Sequence, residues 1–139
     1  MQIELVNQPW DADADIHLEP AMQADPLDGV ELLKRLVESR TAALIAVMVD
    51  GERVGSAILR IEDHDYGREA VIVAAGTPGC DRMNLCMALM NKFADLAFQI
   101  FGCDSARFHT THETLGRLAL RKGWHEAERV YRLTSREAR

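Results

Sequence analysis

Apolar positions along the chain change period several times, and each change marks an element. Ile3 to Val6 is a short apolar run that predicts a first strand. Residues 11–26 are acidic, hold two prolines and show weak periodicity, so a loop with a helical turn is expected. Asp28, with Glu31 three residues on, has the spacing of a capping box. Val30, Leu33, Leu36 and Val37 then recur at helical spacing, predicting a helix to about Arg40. Thr41 to Val49 is nearly continuous in apolar residues, as in a strand covered on both faces. Asp50-Gly51 is a hairpin signal, because both central residues of a type I′ turn need positive φ. Arg53 to Ile61 is the returning strand, and Glu69 to Ala75 a further one.

Gly76-Thr77-Pro78-Gly79 breaks that strand and introduces the longest helix, running to Phe101. Cys86, Leu89, Met90, Phe93, Ala97 and Ile100 fall on its apolar face, and Gly102 is placed to end it. Ala106 to Thr110 reads as a strand. Thr111 can cap a last helix with Leu115, Leu118 and Ala119 inward and Gly123-Trp124 at its end. His125 to Leu133 alternates loosely, as an edge strand does. The pattern predicts one α/β domain over residues 1–139.

Composition narrows the classes. With 139 residues and 47% hydrophobic content the chain can build one core. No run reaches the roughly 18 apolar residues of a membrane span, and no signal-like segment opens the chain. Cys80, Cys86 and Cys103 have no paired spacing, so a reducing cytoplasm is expected. Residues 1–69 hold 15 acids against 6 Lys/Arg and residues 70–139 hold 7 against 10, giving −9 and +3 of the net −6. Such a balance disfavours nucleic acid, while the basic half suits a small phosphorylated ligand and the acidic half a cationic one. The pair His109 and His112 beside Glu113 matches no zinc-peptidase pattern, and no metal is expected.

The order strand, helix, three strands, helix, strand, helix, strand resembles the GNAT family of acyl-CoA-dependent N-acetyltransferases, with a mixed central sheet flanked by helices. The resemblance rests on the hairpin Ala46 to Ala57 with its second glycine, and on Phe108-His109-Thr110-Thr111 through Gly123-Trp124 and Tyr131. It implies acetyl-CoA as co-substrate and a small-molecule or peptide amine as acceptor, with a homodimer left open. Val73, Ala74 and Ala75 would offer backbone groups to the pantetheine arm. Gly76, Gly79, Arg82 and Asn84 would form the pyrophosphate loop at a helix N-terminus, with Arg117 and Arg121 nearby. The same glycine stretch also reads as a plain helix start. The family's Arg/Gln-x-x-Gly-x-Gly/Ala positions fall here on Asp81, Asn84 and Cys86, and its usual tyrosine on Ala119. Glu69 is the candidate base, or a solvated strand-end residue. His112 and Tyr131 are the candidate substitutes for the missing acid. A fold that has lost catalysis and serves in binding is the alternative.

Overall fold

The computed structural model describes residues 2–22, 29–78, 83–110, 113–127 and 131. They form two compact units, 1–109 and 110–139. The first unit runs β1 (Ile3–Gln8), α1 (Ala12–Met22), α2 (Val30–Glu38), β2 (Ala43–Val49), β3 (Glu52–His64), β4 (Gly67–Gly76), α3 (Met83–Gln99) and β5 (Ser105–Phe108). The sheet order is β1-β2-β3-β4-β5, antiparallel except for the parallel pair β4–β5. It is the mixed sheet that the family resemblance implied.

Both faces of the sheet are covered. Leu44 to Val47 are all buried, and adjacent strand residues point to opposite faces. One face packs on α1 and α2 through Ala14, Leu18, Leu33, Leu44 and Ile58. On α3, Leu89, Met90, Phe93 and Ala97 are buried as expected, with Leu85 and Met87. Ile100, assigned to the same face, lies past the helix end and is 68% exposed. There Gly102, at φ 63°, lets the Cys103 N–H return 3.0 Å to the Ala97 carbonyl. The hairpin turn has the expected handedness, with φ of 50° at Asp50 and 84° at Gly51.

Several expectations are corrected. Residues 12–22 form a helix rather than a loop, with Pro20 inside it. Asp11 caps it, accepting from the Ala14 N–H at 3.0 Å. Among the described side chains of α1, Ala14 and Leu18, one turn apart, are the fully buried apolar anchors, too few to make a periodic stripe. The cap of α2 is Gly29 without a side-chain bond, not Asp28, and α2 ends at Glu38. Its end is a Schellman turn: Thr41 N–H bonds the Leu36 carbonyl, Arg40 N–H bonds Val37, and Arg40 takes φ 63°. β3 and β4 outrun their predicted limits because they pair along their whole length, from Ser56↔Gly76 to His64↔Gly67.

In the second unit α4 spans Glu113–Arg121. Gly123, at φ 95°, closes it as predicted, with Trp124 N–H bonded to the Ala119 carbonyl and Gly123 N–H to Leu120. His125 to Ala127 are not in a strand; the rest of the predicted edge strand, apart from Tyr131, lies outside the described residues. No described helix is long and apolar enough to cross a membrane.

Candidate active site

β4 has two unlike ends. At its start it pairs on both sides, with β3 and in parallel with β5 from Glu69↔Ser105 to Ile72↔Phe108. There the β5 ladder stops, while β4 continues to Gly76 against β3 alone. At the same point Val73 is bulged out of register, since Ile58 pairs with Ala74 and Leu59 with Ile72. Among the described residues, the edge of Val73, Ala74, Ala75 and Gly76 that turns away from β3 is in no ladder. All four are only partly buried. Extended backbone with small side chains is a template for another extended, amide-bearing chain. Val73, Ala74 and Ala75, expected as a backbone platform, lie on this stretch of β4, with Gly76, expected in the pyrophosphate loop, at its end.

Gly76 has a packing reason beside any binding one. A Cβ there would sit 2.0 Å from the His17 carbonyl oxygen of α1, and a Cβ on Gly55 would sit 2.3 Å from the Gly76 carbonyl oxygen. Three backbones meet where any side chain would intrude.

Over this end lies a polar cluster that sequence reading missed. His17 Nδ1 is 2.8 Å from Ser56 Oγ, and Arg53 donates to the same oxygen at 2.9 Å. Arg53 also donates to Asp11, with Asp13 3.7 Å away. The Arg53 guanidinium holds the Asp11 carboxyl below its ordinary range, more than burial raises it. Burial, and then the charge of Arg53, lowers His17, against a smaller opposite pull from Asp13 and Asp11. Ser56 is fully buried within an apolar strand. That lone hydroxyl between Gly55 and Ala57 was the one signal in the sequence. Two buried donors nearby, Trp10 Nε1 and Arg53 Nε, have no hydrogen-bond acceptor among the described residues.

Glu69 sits at the other end of β4. Seven positions along the strand separate it from Gly76, roughly 23 Å. It is buried rather than solvated, and Arg107 donates to it at 2.7 Å and Ser105 at 2.9 Å. Arg107 also donates to Glu62 at 3.1 Å, and Arg60 donates to Glu62 at 3.0 Å. His64 Nε2 lies 3.4 and 3.5 Å from the two carboxylates, its ring stacked on Tyr66. The ligand atoms of Glu62, His64 and Glu69 fall within 4.8 Å of one another, a spacing a metal ion could use. The Arg107 guanidinium already bridges the two carboxylates, so the cationic position is filled.

Gly79, Arg82 and His112 lie outside the described residues, and Asn84 opens α3. Arg117 and Arg121 are on α4, where Arg117 donates to Thr114 at 3.4 Å. Tyr131 is 86% exposed. A groove of about 650 Å³ lined by Gln8, Val37, Ala42, Leu59 and Phe101 opens at the β1–β3 side and holds none of these residues.

No protein-family model matches the chain, and no curated protein does. Solved structures do match it along nearly its whole length. An acetyltransferase of Trypanosoma brucei superposes with a TM-score of 0.65 at 23% identity, covering 96% of this chain and 99% of the other. A GCN5-related N-acetyltransferase from Ralstonia eutropha JMP134 gives 0.65 at 18% identity, with 96% and 99% covered. An aminoglycoside N-acetyltransferase in complex with CoA gives 0.62 at 16%, with 97% and 95% covered. The chain has the GNAT-like acetyltransferase fold.

Proposed function

We propose that the protein is an acyl-CoA-dependent N-acyltransferase that moves an acetyl group to a primary amine of a small molecule or peptide, acting in the cytoplasm. The observation that carries this reading is the open edge of β4. The β5 ladder ends at Ile72 while Val73 bulges and β4 runs on to Gly76. A pantetheine arm is extended and carries two amides, so it can bond to that edge as a strand would. Ala74, Ala75 and Gly76 leave room for it where larger side chains would not. Acetyl-CoA supplies an activated thioester. The protein supplies the edge that holds the arm, and the residues from Gly79 to Asn84 that lead into α3 would meet the pyrophosphate. The likeness to the CoA complex supports the reading at the level of fold.

Acetyl-CoA titration tests it. A ligand bound only by the folded state adds RT ln(1 + [L]/Kd), or about 2.7 kcal/mol at 100-fold excess over Kd. A rise in melting temperature with acetyl-CoA, and transfer of acetyl to amines, is expected. No shift at millimolar acetyl-CoA, beside a responding control enzyme, refutes the reading. Binding without transfer to any amine leaves the binding role.

A further inference from the structure

We propose that His17 is the base on the acceptor side, its imidazole taking the proton that the amine loses as its nitrogen bonds to the acyl carbon. The inference rests on the acyltransferase reading above. Placement is the first support. The His17 carbonyl lies against the Cα of Gly76, and its ring reaches Ser56, the register partner of Gly76. The ring thus sits over the last β3–β4 pair, where β4 has already left β5. The Val73 bulge is three residues back, roughly 10 Å along the strand. Among the described residues, Glu69 is the carboxylate set on β4 itself, and it lies at the strand's other end in the grip of Arg107.

Anchoring is the second support. A serine oxygen has two lone pairs. Arg53 fills one at 2.9 Å, and the Nδ1–H of His17 can fill the other at 2.8 Å. That tautomer leaves a lone pair on Nε2, which is the nitrogen that would accept a proton. Asp11 holds Arg53 in turn, so the ring is fixed from behind by Ser56, Arg53 and Asp11, the way a base is oriented by a third group.

Charge is the third. Burial and Arg53 on β3 keep the imidazole neutral, and Asp11 and Asp13 at the start of α1 only partly offset them. A base that is neutral at pH 7 can act without first losing a proton. In the step, the amine lone pair forms the N–C bond and the C–S bond breaks with its electrons going to sulfur. One N–H proton passes to His17 Nε2. The imidazolium, still donating Nδ1–H to Ser56, passes that proton to the thiolate, and the sum is amide plus thiol.

The test uses the full chain with His17→Gln and Ser56→Ala. Acetyl transfer to benzylamine, putrescine and a peptide with a free N-terminus is followed from pH 5 to 9. Acetyl-CoA affinity is measured on each protein by calorimetry. His17→Gln is expected to lower kcat ~10²–10⁴-fold, abolish the acidic limb of the rate profile and leave acetyl-CoA affinity unchanged. Ser56→Ala should move the midpoint of that limb. The wild-type imidazole, followed by ¹⁵N NMR, should titrate at a different pH when acetyl-CoA is bound. A His17→Gln protein that keeps its rate and its acidic limb overturns the proposal. So does a wild type that binds acetyl-CoA but acetylates none of the amines, with an unmoved His17 titration. Failure of acetyl-CoA to bind the wild type instead removes the acyltransferase reading, and His17 falls with it.

Discussion

The two ends of β4 differ in how charge is used. The Glu69 end holds two carboxylates, two guanidinia and an imidazole within one network, closed by ladders on both sides. The Gly76 end has small side chains, an unladdered edge and one neutral histidine held by a buried serine. Richness in titratable groups marks the structural end, because both carboxylates there are already paired with guanidinia, although Arg60 Nε, His64 Nε2 and Arg107 Nε have no hydrogen-bond partner among the described residues. The sparser end has backbone groups and an imidazole still able to engage a ligand. A carboxylate on a strand draws the eye in sequence, but its partners decide what it can do.

The comparison can be broken by variants at each end. The largest effect on stability is expected from Glu69→Ala, which strands Arg107 in a mostly buried site. Removing one partner of a buried pair costs about 3–5 kcal/mol, and the lower end applies because Arg107 keeps Glu62 and is 24% exposed. Acetyl-CoA affinity should be unchanged in urea-stable preparations of that variant. A loss of affinity without a loss of stability would reverse the assignment of the two ends. Arg107→Ala combined with Glu69→Ala should cost less than the two singly summed, as read by a double-mutant cycle in urea.

Gly76→Ala should come next, at about 1–3 kcal/mol for overpacking. The new methyl would meet the His17 carbonyl, which is backbone and cannot rotate aside. Here stability and acetyl-CoA binding should fall together. A variant with wild-type melting and binding would show that α1 does not pack on β4 as described.

The smallest effect is a slope. His17 has a folded pKa below its ordinary value, so well above pH 6.5 it is neutral in both states and contributes nothing. As pH falls below 6.5 the unfolded chain takes up the proton first, and stability drops until the folded imidazole also protonates. His17→Gln should flatten this limb of a melting-temperature profile. Asp11, also lowered, acts further down: its contribution is present above pH 3.8 and is lost as pH falls below it. Asp11→Asn should remove that acid limb and, by taking away a charge that raises His17, shift the His17 limb to lower pH.

Much of the architecture was legible in the chain. The Asp50-Gly51 turn, the buried run of β2, the α3 stripe and the Gly123-Trp124 helix end all follow from local rules of φ and periodicity. Residues 11–22 were illegible because the fully buried apolar anchors described on α1, Ala14 and Leu18, make no periodic stripe, and because Pro20 argues locally against a helix. The backbone platform at Val73 to Ala75 could be named from the family resemblance. Its openness could not, since a bulge and the end of a ladder depend on where the partner strands stop.

By itself the sequence determined β1 to β5, α2, α3 and α4 in their order, the two-sided covering of the central strands and the positive φ of Gly51, Gly102 and Gly123, since these arise from interactions within a few residues. Tertiary structure alone decided which polar groups meet. Glu69 and Arg107 stand 38 positions apart, His17 and Ser56 stand 39 apart, and Arg53 and Asp11 stand 42 apart. Strand register brings the first pair within hydrogen-bond range, and the packing of α1 on β3 and β4 brings the other two. Whether a carboxylate is neutralised or an imidazole is left neutral over an open edge depends on those distant partners, which no local pattern encodes.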